Sequence, residues 1–231
     1  MTVHVKYHPI GLKDYKEVWK YQEEIHKEMM QAKLSDKNKG KDVLNHLIIC
    51  QHPHVYTLGK SGKVNNLLIA DDFLEKIEAT FCKTDRGGDI TYHGPGQIVG
   101  YPIFDLDAFQ LSVKKYVFML EEAIIKTLDD YNIKGTRLEN ATGVWLLPKD
   151  KKNTRKMCAI GVKVSRGITM HGFALNVNTN LNYFNYIHPC GFVDKGVTSL
   201  NQELGSGLVI EQVQEKLLLN LSSIFNFELR D

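Results

Sequence analysis

Three extended apolar segments follow one another in the second half of the chain, with only short polar connections between them. The segments are TGVWLLP (142–148), KMCAIGVKV (156–164) and ITMHGFALNV (168–177), and the connections are KDKKNTR and SRG. Parallel strands need a long crossover, whereas antiparallel strands can be joined by a short turn. The spacing therefore predicts an antiparallel meander and argues against a purely parallel, doubly wound sheet.

The rest of the chain supplies helices and further strands. Helical periodicity predicts helices over 12–34, 71–80, 111–133 and 209–227, with Ser112 as an N-cap, and a polar loop over 35–42. In the first helix Leu12, Tyr15, Trp19, Gln22, Ile25 and Met29 recur at the spacing of one helix face. Apolar runs over 43–50, 80–85 and 96–106 read as strands. Helices and strands do not alternate strictly, so we expect an α+β fold with a mixed or antiparallel sheet flanked by helices.

Composition excludes several classes of function. The formal net charge is only +2 in 231 residues, so we expect no nucleic-acid partner. No apolar run approaches the ~20 residues of a membrane helix, and residues 1–15 lack the apolar core of a signal peptide. The four cysteines, which are widely spaced, favour free thiols in the cytoplasm over a disulfide framework. An organelle is the alternative location if a transit segment has been removed.

Glycine is densest in RGGDITYHGPGQIVGYP, residues 86–102, which holds five glycines together with an arginine and a histidine. Glycine loses more conformational entropy on folding than any other residue, so such a cluster normally has a reason. A simple turn explains a pair of glycines but not five. We interpret this stretch as a loop that cradles a ligand close to the backbone.

The same stretch resembles the signature of the lipoyl(octanoyl) transferases, in which Arg-Gly-Gly precedes Thr, an aromatic residue, His, Gly-Pro-Gly-Gln and Tyr-Pro. Two later blocks agree with that family: RKMCAIGVKVSRGITMHGFALNVNTNL (155–181) and IHPCGFVDKGVTSL (187–200). The upstream QHPHVYTLGK is similar as well. The resemblance runs from about residue 45 to about residue 204, with three long motifs in the same order.

The resemblance implies a fold, a reaction and partners. The fold is that of the biotin and lipoate protein ligase catalytic domains, as a single domain over 1–231. The reaction moves an octanoyl group from octanoyl-acyl carrier protein to a lysine of a lipoyl domain or of the glycine cleavage H protein. It proceeds through an enzyme thioester and requires neither ATP nor a metal.

Site residues follow from the same resemblance. The catalytic pair is Cys190, which stands between Pro189 and Gly191, and Lys156. A nearby ammonium favours the thiolate of a cysteine, which suits this pair to thioester exchange. The acyl-binding residues implied are Arg86, Gly87, Gly88, Asp89, Ile90, Thr91, Tyr92, His93, Ala159, Ile160, Gly161, Gly172, Phe173 and Ala174.

Several other features compete for a functional role. Cys158 lies two residues from Lys156, so on a regular strand both face the same side; we interpret it as structural but close enough to the site to react. GKSGK (59–63) lacks the glycine that a phosphate loop requires. KDKKNTRK (149–156) is a solvated turn or a docking site for an acidic partner. No cysteine or acidic residue has metal-site spacing with the histidines at 52, 54, 93, 171 and 188.

Two rival functions stay open on the sequence. One is an ATP-dependent lipoate or biotin ligase, which needs an adenylate-binding lysine and no cysteine nucleophile. The other is an acyl-binding or scaffold protein without catalysis, which the presence of both Cys190 and Lys156 disfavours.

Overall fold

A computed structural model of the chain describes residues 3–35, 44–147, 154–188 and 195–230. The α-helices are α1 (Tyr15–Leu34), α2 (Asp71–Lys76), α3 (Val113–Asp129), α4 (Leu200–Leu204) and α5 (Ile210–Phe225). The strands are β1 (Val3–Leu12), β2 (Asn45–Gln51), β3 (Val55–Leu58), β4 (Thr80–Lys83), β5 (Ile90–His93), β6 (Gln97–Ile103), β7 (Thr136–Leu138), β8 (Ala141–Leu146), β9 (Arg155–Ser165), β10 (Ile168–Asn176), β11 (Gly196–Val197) and β12 (Phe227–Arg230). Most of the loop predicted over 35–42, the lysines of 149–152 and Cys190 lie outside the described residues.

The described strands form a large and a small sheet. The large sheet has the order β12-β1-β2-β6-β10-β9-β8-β7, with β11 added beside β9. Strands β8, β9 and β10 pair antiparallel, as do β2, β6 and β10, whereas β1 pairs parallel with both β12 and β2. The predicted meander and the α+β class with a mixed sheet are therefore confirmed.

One face of the large sheet carries α1. The helix begins at Tyr15 because the Asp14 side chain accepts hydrogen bonds from the backbone N–H groups of Lys16 and Glu17. Its buried side chains contact the sheet side chains of β2, β6 and β10 in one hydrophobic cluster. Leu12 was predicted on this helix; it instead ends strand β1 and is largely exposed. Strand β1 was not predicted, because its partners β2 and β12 are remote in sequence.

The opposite face of the large sheet packs against α3 and α5, which contribute to the largest hydrophobic cluster. Ser112 caps α3 as predicted, accepting a hydrogen bond from the backbone N–H of Lys115. No helix in the described ranges is long and apolar enough to span a membrane.

The small sheet has the order β4-β3-β5 and stands beside the α1 face of the large sheet. Strand β5 carries part of the glycine-rich stretch, and β6 follows it after a turn at residues 94–96. A third hydrophobic cluster joins this sheet to the short 3₁₀ helix Leu181–Tyr186. A gap between the two sheets results, and the predicted site residues lie around it.

Candidate acyl-binding site

A cavity of about 530 Å³ opens between the large sheet, the small sheet and α1. Ligand cavities typically measure ~300–1,000 Å³. Its walls come from the loop 86–89, from β5 and from the facing side chains of β6, β9 and β10. The cavity also reaches around β9 to Val117 of α3 and to residues 140–142 before and within β8.

Small residues of β9 and β10 create the space. In the register of the two strands Ala159 lies opposite Ala174, and Gly161 lies opposite Gly172. Residues opposite each other on neighbouring strands share a face of the sheet, so these four positions form one shallow floor. An added Cβ at Gly172 would collide with the carbonyl of Gly100 on β6, so only glycine fits there.

The loop 86–88 is held against this floor. The backbone N–H of Gly87 donates to the carbonyl of Val162 at 3.0 Å, and a Cβ at Gly161 would lie 2.8 Å from the carbonyl oxygen of Gly87. Glycine at 161 is therefore required by close approach of the backbone. Gly88 has a φ of 88°, a left-handed conformation that favours glycine.

The Arg86 side chain is buried and attaches this loop to β3. Its Nη2 donates to the carbonyl and to the hydroxyl oxygen of Thr57, at 2.6 and 2.9 Å, and it is 7% exposed. The segment 59–63, which resembles a phosphate loop only superficially, continues this attachment. The N–H groups of Gly59, Lys60 and Ser61 donate to the carbonyls of Asp89, Arg86 and Gly88.

A chain of hydrogen bonds fixes His93 at the cavity wall. Its Nδ1 donates to Oε1 of Gln97 at 2.8 Å, while Nε2 of Gln97 donates to Oδ1 of Asn176 at 2.9 Å. Asn176 in turn donates to the carbonyl of Thr198. Burial lowers the pKa of His93 to about 3, so its imidazole is neutral near pH 7. His93 is thus a rigid, uncharged wall residue.

His171 contacts Asp85, the residue before the loop. Strand alternation would place His171 with Phe173 and Leu175 in the core beneath α3 and α5, but its φ of 60° turns the imidazole toward α1. There Nε2 donates to Oδ1 of Asp85 at 2.7 Å, and the ring lies 6.0 Å from that of Trp19. The hydrogen bond from His171, with a second from Lys163, holds the pKa of the Asp85 carboxyl well below its usual range. Burial lowers the pKa of His171 below its ordinary value, although the Asp85 carboxylate opposes that shift.

Lys156 lines the cavity near the first residues of β9. Its Nζ lies 4.5 Å from the centre of the Trp145 ring, within the range of a cation–π contact. Trp145 is held in turn by a hydrogen bond from Nε1 to the carbonyl of Ala141. Val197 of β11 pairs with Lys156, and Thr198 donates to the Lys156 carbonyl.

The sequence prediction that Cys158 and Lys156 face the same side is wrong. Val144 pairs with Cys158 but Trp145 pairs with Lys156, so Met157 is an additional residue on β9. This irregularity breaks the alternation, and both Met157 and Cys158 are fully buried in the core under α3 and α5. Burial raises the pKa of the Cys158 thiol, which argues against reactivity.

The other described cysteines, Cys50 and Cys82, are also buried, as predicted for core residues. Burial raises the pKa of each thiol. Among the described residues no three His, Cys, Asp or Glu side chains are grouped to hold a metal ion. His52 donates from Nδ1 to the carbonyl of Lys13 and accepts from the Tyr101 hydroxyl, which accounts for both its nitrogens.

The structure brings almost all of the predicted acyl-binding residues together at one cavity. Those that line it are Arg86, Gly87, Gly88, Asp89, Ile90, Thr91, His93, Ala159, Ile160, Gly161, Gly172, Phe173 and Ala174. Tyr92 does not line it; its hydroxyl bonds Nδ1 of His54 at 2.7 Å, and its ring stacks on Tyr183 in the small-sheet cluster. Alternation along β5 explains this, because Tyr92 points away from its neighbours Thr91 and His93.

Some residues at the site were not predicted. Tyr15, Val99 and Tyr101 line the cavity, and Trp145 lies beside Lys156. Tyr15 and Val99 read in sequence as ordinary core positions of a helix and a strand. Only the crossing of α1 over β6 reveals them as cavity residues.

Comparisons with known proteins agree on one family. Residues 14–222 match the family described as the lipoyl protein ligase A/B catalytic domain. An octanoyltransferase of Christiangramia forsetii is 52% identical over 233 residues, covering 100% of this chain and 99% of the relative. An octanoyltransferase of Bacteroides thetaiotaomicron is 53% identical, covering 92% of this chain and 91% of the relative.

A solved structure with a similar fold comes from an archaeal lipoylation system. It is a bi-partite lipoate protein ligase of Thermoplasma acidophilum, studied with its E2 lipoyl domain. It aligns with a TM-score of 0.72 over 99% of this chain and 86% of that chain, at 14% identity. At that identity the likeness concerns the fold, and it confirms the predicted kinship with lipoate protein ligase catalytic domains.

Proposed function

Because the chain belongs to the lipoyl protein ligase A/B catalytic domain family, we propose that it transfers an octanoyl group from acyl carrier protein to a lysine of a lipoyl domain. It is an acyltransferase, like the octanoyltransferases that match it over almost their full length. The acceptors are lipoyl domains of the 2-oxoacid dehydrogenase complexes and the glycine cleavage H protein. The enzyme works in the cytoplasm, without ATP or a metal.

The observation that carries this proposal is the position of Lys156 at a cavity with an apolar, small-residue floor. The floor of Ala159, Ala174 and Gly172 suits an alkyl chain, since nothing there demands a polar ligand. Lys156 supplies an amine at the same cavity, and Val197, paired with it, lies seven residues after Cys190 in sequence. The cavity therefore holds the acyl chain, and the lysine serves the chemistry at the carbonyl.

In the proposed first half-reaction the thiolate of Cys190 attacks the octanoyl carbonyl of the donor thioester. A new carbon–sulfur bond forms, the carrier thiolate leaves, and it takes a proton from the Lys156 ammonium. One thioester replaces another, so the step is nearly balanced in free energy and needs no nucleotide. The Lys156 ammonium favours the Cys190 thiolate before the attack.

In the second half-reaction the acceptor lysine attacks the Cys190 thioester as a free amine. An amide forms, the Cys190 thiolate leaves, and neutral Lys156 accepts the proton released by the attacking nitrogen. The starting thiolate and ammonium are thereby restored. Lys156 thus acts first as a general acid and then as a general base.

Intact-mass measurement tests the proposal. Enzyme mixed with octanoyl-loaded carrier protein, without acceptor, should gain one octanoyl mass that hydroxylamine removes. Peptide mapping should place the label on residues 187–192. The Cys190→Ala variant should lose the adduct and the matched Cys158→Ala variant should keep it. A label on Cys158, or transfer by Cys190→Ala at the wild-type rate, would refute the covalent assignment.

Nucleotide dependence separates this function from its rival. An ATP-dependent ligase of the same fold would acylate the lipoyl domain from free octanoate and ATP. The proposed enzyme should instead use octanoyl-carrier protein with no nucleotide present. Transfer that appears only with ATP would favour the ligase.

A further inference from the structure

A single row of side chains crosses the floor of the cavity from β9 to β6. Ala159 pairs with Ala174, and Ala174 pairs with Val99. These three residues share a face of the sheet, and two strand spacings separate the first from the last, about 10 Å. The row begins with two methyl groups and meets its first branched side chain at Val99.

Val99 is the last residue of this row that lines the cavity. The next residue across the sheet is Cys50 of β2, which pairs with Val99. Strand β2 is described throughout, and none of its residues lines the cavity. Val99 itself is 1% exposed and lies between Ala174, which lines the cavity, and Cys50, which does not.

Neither neighbouring row offers another way past Val99. On one side Gly161 is covered by the Gly87 carbonyl, as the 2.8 Å approach of that oxygen requires. On the other side Gln97 and Asn176 are joined by a hydrogen bond and present polar groups. Beyond Gly161 and Gly172 the cavity is lined by Tyr101, whose ring is buried. Ala159, Ala174 and Val99 therefore form the row of the floor that consists of aliphatic side chains.

The roof closes above the same end of the row. Tyr15 of α1 lines the cavity and belongs to the same hydrophobic cluster as Val99. Its ring stacks on the neutral imidazole of His93, with centroids 5.7 Å apart. Both rings are buried, and His93 is fixed by Gln97, so the inner end has little freedom to widen.

We propose that Val99 sets the longest acyl chain that the cavity accepts. This inference rests on the proposed function in one respect, namely that an acyl chain lies along the row with its carbonyl toward Lys156. A chain that reaches Val99 fits; a longer chain collides with a rigid side chain backed by Cys50. Val99 is then a specificity-determining residue and takes no part in the chemistry.

A competing course for the chain lies on the other face of the sheet. The cavity extends around β9 to Val117, near Ile160 and Phe173, which point toward α3. If the acyl chain followed that course, Val117 rather than Val99 would limit its length. The two valines thus form a matched pair, because each loses the same two methyl groups on change to alanine.

The test compares kcat/KM for hexanoyl-, octanoyl- and decanoyl-carrier protein in a transfer assay with a lipoyl domain. Val99→Ala should raise the decanoyl-to-octanoyl ratio by at least about tenfold, since a few methylenes in a hydrophobic pocket typically discriminate by that much. Val99→Leu should lower octanoyl use relative to hexanoyl by a similar factor. Val117→Ala should keep the wild-type ratio, and so should Val18→Ala, which weakens the same α1 cluster away from the cavity.

Binding provides a second readout that needs no turnover. Calorimetric titration with free decanoate and octanoate should show the same rise in the decanoate-to-octanoate preference in Val99→Ala as the transfer assay does. An unchanged ratio in Val99→Ala, or a shifted one in Val117→Ala, would overturn the inference while octanoyl transfer by the wild type keeps the proposed function intact. If the wild type transferred no acyl group, the proposed function would fail, and the fatty-acid titrations would still decide the role of Val99.

Discussion

Asp85 accepts a hydrogen bond of 2.7 Å from Nε2 of His171. This contact connects the residue before the glycine loop, residues 86–88, to the central strand β10. His171 reaches Asp85 only because its backbone adopts a left-handed conformation. The backbone N–H of His171 donates to Oε1 of Gln22 on α1 at 3.0 Å. His171 therefore connects α1, β10 and the loop 86–88, and these hydrogen bonds hold the loop over the cavity floor.

Asp85→Asn should loosen the glycine loop without removing any group from the cavity wall. The substitution weakens the hydrogen bond from His171 and removes the ion pair with Lys163. We expect a loss of about 1–3 kcal/mol in the free energy of unfolding. We also expect KM for the acyl donor to rise severalfold more than kcat falls. Lys163→Gln, which removes only the ion pair, is the control and should have a smaller effect on KM.

Lys156→Met should leave binding of the acyl donor nearly intact and slow acylation severely. The reason is that the ammonium supports the Cys190 thiolate, whereas the floor is built by other residues. Iodoacetamide labelling of Cys190 as a function of pH should show a higher midpoint in the variant. An unchanged midpoint would mean that Lys156 does not activate the thiol.

Trp145→Leu should slow acylation, but less than Lys156→Met does. The ring of Trp145 positions the ammonium by a cation–π contact worth about 0.5–2 kcal/mol, so we expect acylation to slow by roughly 2–30-fold. Trp145→Phe keeps an aromatic face but loses the hydrogen bond to Ala141 and part of the buried ring volume. Single-turnover acylation rates should therefore rank wild type, Phe and Leu in descending order. Equal rates for Phe and Leu would assign the effect to packing rather than to the aromatic face.

Gly88→Val should cost both stability and binding. At a φ of 88° a branched residue is strained by about 1–3 kcal/mol, which thermal unfolding should reveal. Gly205→Val is a matched control, because Gly205 has a φ of 72° with nothing within 4 Å of an added Cβ. Both variants should lose comparable stability, but only Gly88→Val should raise KM for the acyl donor. A normal KM in folded Gly88→Val would make Gly88 a turn residue alone.

Acid should destabilise the protein through two groups whose pH ranges overlap only near pH 3–4. The pKa of His93 falls from its ordinary 6.5 to about 3, so the unfolded state binds a proton first, and stability is lost as the pH drops from 6.5 toward 3. Each unit of pKa shift contributes about 1.4 kcal/mol. The free energy of unfolding, measured with urea between pH 6.5 and 3, should fall less steeply with decreasing pH in His93→Gln than in the wild type. Asp85, whose pKa is lowered, contributes stability that is lost only below about pH 4.

Local patterns predicted local elements well and non-local geometry poorly. Helix α3 and the β8–β10 meander were visible in sequence because their periodicity and short connections are local. Strand β1 was missed because it pairs with strands remote in the chain, and Leu12 was misplaced with it. The ligand-binding stretch 86–102 was predicted from sequence because a simple turn does not account for five glycines.

Two details of the site had no signal in sequence. The left-handed backbone of His171 and the additional residue Met157 on β9 both break strand alternation. Each is imposed by tertiary contacts, so a periodicity of two residues predicts the wrong side for His171 and for Cys158. The pairing of Trp145 with Lys156 likewise depends on the register of β8 and β9, which sequence does not specify.

The strand order of the large sheet has a consequence for how fast the cavity appears and disappears. Its floor needs β6 beside β10, and β6 is flanked on its other side by β2, so Gly100 must meet Phe173 and Ile48 must meet Tyr101. Such distant pairings close large loops and slow folding. An acyl chain bound along Ala159, Ala174 and Val99 would bridge the pairing of β6 with β10 and slow global unfolding, so occupancy would lengthen the lifetime of the whole fold.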